Sequence, residues 1–293
     1  MRATFWGVRG STPAPGAAFV RYGGHTTCVS VEVGDRVLVI DAGTGIRPLG
    51  HALAGGTRDL FVLLTHRHAD HLLGFPFFAP LYEEGRTVHL LPLRDGTERW
   101  WPLALFDGIH YPLYPSDLPS AVVDVDADAI DYLRSHGLDV RRHAMNHPGG
   151  AFGYRVDDGG HAFVFIPDNE IGAPEPVAPH DDLIAFCHGA DVLCHDAQYL
   201  DSEIGERRGW GHSSIAEACD LAVDAAVGHL VLFHHDPDRV DVELDAIQDD
   251  ARRRLAPHGI DVTVALQGLT FQLGDDASGG PAPSEVSTKA KRA

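Results

Sequence analysis

Residues Thr65-His66-Arg67-His68-Ala69-Asp70-His71 set three imidazoles and a carboxylate within six consecutive positions, directly after the apolar run Leu60-Phe61-Val62-Leu63-Leu64. Neutral imidazole and carboxylate are the usual donors to divalent first-row cations, so the cluster reads as a metal site at the end of a buried strand. An extended segment sends alternate side chains to one side. His66 and His68 can therefore grip one cation, while Asp70 and His71, past the bend, reach a second. Two metals about 3.5 Å apart are the arrangement expected, and such pairs serve hydrolysis. A solvated loop that merely contains histidines is the competing reading, and it would be preferred for a single His.

The elements that must position these groups follow a layered α/β pattern, with strand-like runs alternating with helical ones. Arg36-Val37-Leu38-Val39-Ile40-Asp41 reads as a buried strand entering the turn Ala42-Gly43-Thr44-Gly45. That turn lacks the lysine of a phosphate-binding P-loop and is read as a tight turn beside the metal loop. The pattern predicts a helix from near His71 to just before Gly85, then a strand at Val88-His89-Leu90-Leu91. About seventy-five residues separate His71 from His147, too many for one structureless loop, so segment 72–146 must hold elements of its own. Its aromatic residues Trp100, Trp101, Phe106, Tyr111 and Tyr114 are read mostly as packing, with one or two as pocket wall.

Two hydrolytic ions need further imidazoles and a bridging carboxylate. His147 lies just before the strand-like Ala151-Phe152-Gly153-Tyr154-Arg155-Val156. Asp168 follows Ala162-Phe163-Val164-Phe165-Ile166, and His234 follows Leu230-Val231-Leu232-Phe233. Strand ends are where a rigid sheet can hold convergent side chains.

With 293 residues, 44% of them hydrophobic, the chain can bury a full core. We expect one hydrolase domain over 1–274 and a disordered tail over 275–293, which is rich in Gly, Pro, Ser and charge. A formal net charge of -19 argues against holding long nucleic acids, which demand many Lys and Arg contacts, but permits a small anion neutralised by metals. Met1-Arg2-Ala3-Thr4-Phe5-Trp6 has no apolar signal core and no run has membrane-spanning length, so a cytoplasmic protein is expected. Cys28, Cys187, Cys194 and Cys219 are dispersed without a CxxC pair, so reduced, buried thiols are expected.

On these residues the chain resembles the metallo-β-lactamase superfamily, with His66, His68, Asp70 and His71 matching its HxHxDH motif, His147 its third motif, Asp168 the bridging carboxylate and His234 the last histidine. The resemblance runs from near the N-terminus to about Arg239. It implies a four-layer αββα sandwich, classed α/β, and two divalent ions, zinc first, with manganese and iron(II) also suited. The closer likeness is to the ribonuclease Z-like phosphodiesterase branch. Phe152-Gly153-Tyr154 after His147 is similar to its His-then-Phe/Tyr-Gly-Tyr pattern. The segment 190–197, ending His195-Asp196-Ala197, resembles its His-Glu-Ala, and Gly211-His212-Ser213-Ser214 its Gly-His-Ser-Thr. The spacing from His212 favours His234 over His235 as ligand.

The branch implies attack on phosphorus by a metal-bridging hydroxide, with protonation of the leaving alkoxide by a histidine. Asp70, His212 and Asp196 are the expected catalytic residues: His212 as general acid, and Asp196, where the family usually has Glu, holding the other ring nitrogen. Ser214 and Glu217 also read as a capping box opening a helix, a role compatible with catalysis at His212. His25, His110, His143, His195 and His235 are read as ordinary hydrogen-bonded or surface histidines, although His25, after two glycines, could approach the site. Arg9 and Arg155 are candidates for a phosphate contact or a salt bridge.

Ribonuclease Z proper carries a tRNA-gripping arm between its third histidine and bridging aspartate, where this chain has only about twenty residues. A small or cyclic phosphodiester is therefore the expected partner, rather than tRNA. A homodimer would follow if Trp100 and Trp101 formed an exposed apolar patch. Two other chemistries stay open: hydrolysis of a thioester, ester or lactone on the same metals, and a non-hydrolytic di-iron protein.

Overall fold

The structure is a computed structural model that describes residues 1–91, 93–95, 98–100 and 102–274, giving only the backbone course of 94, 95 and 98–100. The first half of the chain forms β1 (Arg2–Gly7), β2 (Cys28–Val33), β3 (Arg36–Ile40), α1 (Ile46–Leu53), β4 (Asp59–Leu63), β5 (Thr87–Leu91), a hairpin of β6 (Leu93–Asp95) and β7 (Glu98–Trp100), β8 (Ala121–Asp124) and α2 (Ala129–Ser135). The second half forms β9 (Asp139–Met145), β10 (Ala151–Asp158), β11 (His161–Ile166), α3 (His180–Cys187), β12 (Val192–Asp196), α4 (Ile215–Asp224), β13 (His229–Phe233), α5 (Asp241–Leu255), β14 (Asp261–Val264) and β15 (Thr270–Gln272).

Besides the two-stranded β6-β7 ribbon, two large sheets result, a seven-stranded one in the order β15-β1-β2-β3-β4-β5-β8 and a six-stranded one in the order β14-β13-β12-β11-β10-β9. The inner strands β3-β4-β5 and β11-β12-β13 run parallel. Because both faces of a parallel strand are covered, each reads as an unbroken apolar run. Alternation then divides every run between two cores. Leu38, Ile40, Phe61 and Leu63 meet Phe163, Phe165, Val231 and Phe233 between the sheets. Val37, Val39, Leu60 and Val62 pack outward on α1. Val164, Ile166, Leu193, Leu230 and Leu232 pack outward on α3, α4 and α5. Three apolar seams separate four layers, the αββα sandwich implied by the sequence.

The helix expected from His71 to Gly85 does not form. Three short 3₁₀ turns stand there instead, Ala69–His71, Phe75–Phe77 and Ala79–Tyr82. Pro76 and Pro80 each open a turn and cannot supply the N–H that a continuing helix requires, so the apolar spacing that mimics a helix is cut twice. The four cysteines are free and buried. Among the described residues no helix is long and apolar enough to cross a membrane. Trp101, the side chain of Trp100 and the tail 275–293 lie outside the described residues.

Candidate metal and catalytic centre

Strand ends converge on one edge of the sandwich. Asp41 follows β3, the 65–71 loop follows β4, His147 follows β9, Asp168 follows β11, Asp196 closes β12 and His234 follows β13. His66, His68 and His147 form one group and Asp70, His71 and His234 another, the donor atoms of each lying within 4.8 Å of one another. Asp168 stands between them. Its Oδ1 is 3.2 Å from His71 Nε2, and its Oδ2 is 3.3 Å from His234 Nε2, 3.7 Å from His66 Nε2 and 3.8 Å from His147 Nε2. Asp70 Oδ2 is 3.3 Å from both His71 Nε2 and His234 Nε2. His68 Nδ1 lies 3.0 Å from His147 Nε2. All seven residues singled out as ligands are thus brought together.

These residues suit cations better than one another. His66 Nε2, His71 Nε2 and Asp168 Oδ1 are buried with no hydrogen-bond partner, a costly arrangement unless their lone pairs meet a positive charge. The opposite ring nitrogens are fixed from behind. His71 Nδ1 donates to Asp41 at 2.8 Å, His147 Nδ1 to the carbonyl of Gly211 at 2.8 Å, and His234 Nδ1 to Gln198 Oε1 at 3.3 Å. A proton held at Nδ1 leaves Nε2 free to ligate. His235, by contrast, turns Nε2 to the carbonyl of Ala265 at 2.8 Å, away from the cluster.

For His66 and His147 the electrostatics agree with that division. Burial lowers the pKa of His66 well below the ordinary range, with His71 adding to the effect, and burial likewise lowers that of His147, so both rings are neutral donors. Burial would raise the pKa of Asp168, but the histidines, His234 first, outweigh it and hold the carboxylate ionised. Burial also works against charge on His71, which Asp70, Asp168 and Asp41 together overcome, raising its pKa.

His212 lies beside the cluster, its Nδ1 2.6 Å from Asp196 Oδ2. Asp196 also accepts from the backbone N–H groups of Asn169, Gln198 and Ser213, which fix its carboxylate against His212. Burial opposes protonation of His212, but Asp196, then Asp168 and Asp70, push its pKa up to about 9. The capping box stands where it was read: Ser214 N–H donates to Glu217 at 2.9 Å, and α4 follows. A cavity of about 280 Å³ opens over the cluster, lined by Ser11, His68, Ala69, Asp70, Asp168, His212 and His234.

Several contributors are absent from the sequence reading. Asp41, at the end of β3, accepts from Thr65 N at 2.7 Å, Thr65 Oγ1 at 2.8 Å and His71, at a left-handed φ of 65°. Ser11, at φ 61°, donates its N–H to Asp70 Oδ2 at 2.8 Å. Gly10 lies flat on His234, where a Cβ would come within 2.5 Å of the ring. The only signal for these was polar or glycine residues at strand ends. Arg9, a candidate phosphate contact, is instead buried and grips the carbonyls of Gly23 and Arg239 at 2.9 and 2.7 Å. Arg155 is occupied by Asp157 and the carbonyl of His188. His25 bonds Thr44 and does not reach the cluster.

A family model described as "Beta-lactamase superfamily domain" matches residues 36–235. With the αββα fold and the His/Asp centre, this establishes that the chain is a metal-dependent hydrolase of the metallo-β-lactamase superfamily. It is 30% identical over 253 residues to the ribonuclease Z of Bradyrhizobium sp. (strain ORS 278), covering 70% of this chain and 81% of the relative. Among solved structures, the metallo-beta-lactamase fold protein YhfI from Bacillus subtilis superposes with a TM-score of 0.65 at 20% identity, over 92% of this chain and 99% of that one. A diphosphatase from the PhnP family superposes with a TM-score of 0.62 at 19% identity, over 93% of this chain and 98% of that one.

Proposed function

We propose that the protein is a dinuclear phosphodiesterase acting on a small or cyclic phosphodiester, with zinc the expected metal and manganese or iron(II) as substitutes. The observation that carries this reading is the 2.6 Å His212–Asp196 pair at the wall of the metal cavity. In this reading His66, His68 and His147 hold one ion, Asp70, His71 and His234 the other, and Asp168 both. When bound, the ions supply Lewis acidity to the phosphoryl oxygens and a water deprotonated near neutral pH. Asp196 holds the Nδ1 proton of His212 and stabilises the imidazolium, leaving the other ring nitrogen to protonate the departing alkoxide. The N–H of Ser11 orients Asp70 at the cavity floor. A thioester hydrolase has less need of such an acid, because a thiolate leaves without a proton.

The same geometry supports a small substrate. The cavity of about 280 Å³ accommodates a small phosphodiester. Between His147 and Asp168 the chain makes the hairpin of β10 and β11, closed by Gly159 and Gly160, both at positive φ, with no projecting arm. The ribonuclease Z relative supports chemistry at phosphorus, while the hairpin and the net charge of -19 argue for a small substrate over tRNA. The test is hydrolysis of bis(p-nitrophenyl) phosphate, cyclic nucleotides, a thioester and a lactone by metal-loaded wild type and His212→Ala. Diester turnover that falls about a hundredfold in the variant, chiefly on poor leaving groups, is expected. Turnover of the acyl substrates alone, indifferent to the substitution, would refute the proposal.

A further inference from the structure

Residues 209–211 deliver His212 to the site, yet little of their own substance fixes them. Gly209 and Gly211 adopt φ of 87° and 91°, and Trp210 between them is 61% exposed. Gly211 tolerates no side chain, since a Cβ would come within 2.3 Å of His147 Nδ1. What holds the segment is Glu170, a carboxylate only 2% exposed and two residues beyond Asp168. Glu170 Oε1 accepts from Gly209 N at 2.9 Å, and Oε2 accepts from Gly209 N at 3.0 Å and Gly211 N at 2.9 Å. Arg208 Nη1 stands 3.8 Å from Oε1. Glu170 is itself fixed to the strand end that carries His147: its N–H donates to the Asn146 carbonyl at 2.8 Å, and its carbonyl accepts from Asn146 Nδ2 at 3.2 Å.

We infer that Glu170 is a positioning residue that aligns His147 and His212 through the backbone of Gly211. The same Gly211 whose N–H it holds offers its carbonyl to His147 Nδ1 at 2.8 Å, and the next residue is His212. One buried carboxylate therefore sets both the tautomer of a metal-facing imidazole and the approach of the acid to the cavity. A carboxylate is required because every group facing it donates: two backbone N–H groups and a guanidinium. In Glu170→Gln an amide oxygen in the Oε2 position can keep Gly211 and the 3.0 Å branch to Gly209, but the new NH₂ in the Oε1 position then confronts Gly209 N and the guanidinium of Arg208.

This inference rests on the phosphodiesterase reading for its kinetic test and carries a second test that does not. At saturating zinc, Glu170→Gln and Glu170→Ala are compared with wild type on cyclic AMP, whose alkoxide leaves poorly, and on bis(p-nitrophenyl) phosphate, whose phenolate needs no proton. The expected result is a kcat loss of about tenfold or more on cyclic AMP, about threefold or less on the activated diester, and KM within about twofold on both. Equal losses on both substrates, or none, would overturn the inference. If wild type itself hydrolyses neither diester, the phosphodiesterase reading fails, and side-chain ¹⁵N NMR of His147 and His212 decides about Glu170 alone. Shifted ring-nitrogen resonances in a folded Glu170→Gln protein support its role, and unchanged ones refute it.

Discussion

Asp41 shows how far metal binding depends on groups that touch no metal. In Asp41→Asn the left-handed backbone is retained, since Asn tolerates αL about as well as Asp, and the volume hardly changes. The hydrogen bonding cannot be kept. The wild-type carboxylate receives three donors, Thr65 N–H, Thr65 Oγ1–H and His71 Nδ1–H. An amide offers one oxygen and one NH₂. With its oxygen toward Thr65 N, the NH₂ faces His71, whose Nδ1 must then accept, sending the ring proton to Nε2, the atom 3.2 Å from Asp168 and 3.3 Å from Asp70. The opposite orientation strands a buried backbone N–H, at about 1–3 kcal/mol of stability. Loss of an outer partner of this kind weakens metal affinity by about 10–100-fold, or about 1.4–2.7 kcal/mol. Chelator competition monitored by metal release measures it directly. An Asp41→Asn protein that holds both metals within about twofold of wild-type affinity would refute the argument that His71 ligates through an Nε2 freed by Asp41.

Two further outcomes follow from the same centre. Gly10→Ala drives a Cβ to within 2.5 Å of His234 Nδ1 and Cε1, so if the proposed dinuclear centre holds, this variant should lose the ion assigned to Asp70, His71 and His234, read as about one metal per chain by elemental analysis against two for wild type; two per chain in the variant would contradict the packing argument. In excess chelator, the His212 pKa raised to about 9 from an ordinary 6.5 makes a stabilising contribution that is complete below about pH 6.5 and lost as pH rises through about 9. Urea unfolding against pH should show that decline in wild type and lack it in His212→Ala, and a wild-type curve flat across that window would contradict the coupling to Asp196.

The sandwich was legible because its inner strands are parallel and covered on both sides, so runs such as Leu230-Val231-Leu232-Phe233 stand out against any loop. Where periodicity failed, proline was the cause. Leu72, Phe75 and Phe78 are buried at helical spacing, yet Pro76 and Pro80 force short 3₁₀ turns that use the same spacing to reach the core around Ile46 and Leu49. Apolar spacing reports which residues face inward; the backbone that brings them there depends on whether each N–H has somewhere to go.

The metal-facing residues were legible for a different reason. His66, His68, Asp70 and His71 are neighbours in sequence, and His147, Asp168 and His234 each follow an apolar strand. The residues that orient them have no such signature, because their partners are remote. Asp41 meets His71 thirty positions away, Ser11 meets Asp70 fifty-nine away, and Glu170 meets Gly211 forty-one away. A carboxylate or serine at a strand end is common, and its importance arises only when the sheets close and a buried N–H is left facing it. The same closure places Ser11, Asp41 and His234 at φ near 60°, a backbone region that non-glycine residues seldom occupy. Each of the three is held there by a bond within the centre, to Asp70, to His71 and Thr65, or to Gln198. Among the described residues Ala226, after α4, is the fourth non-glycine residue at positive φ, so three of the four lie in the centre, where the fold gives up local comfort for donor alignment and charge drawn to those aligned donors would offset it.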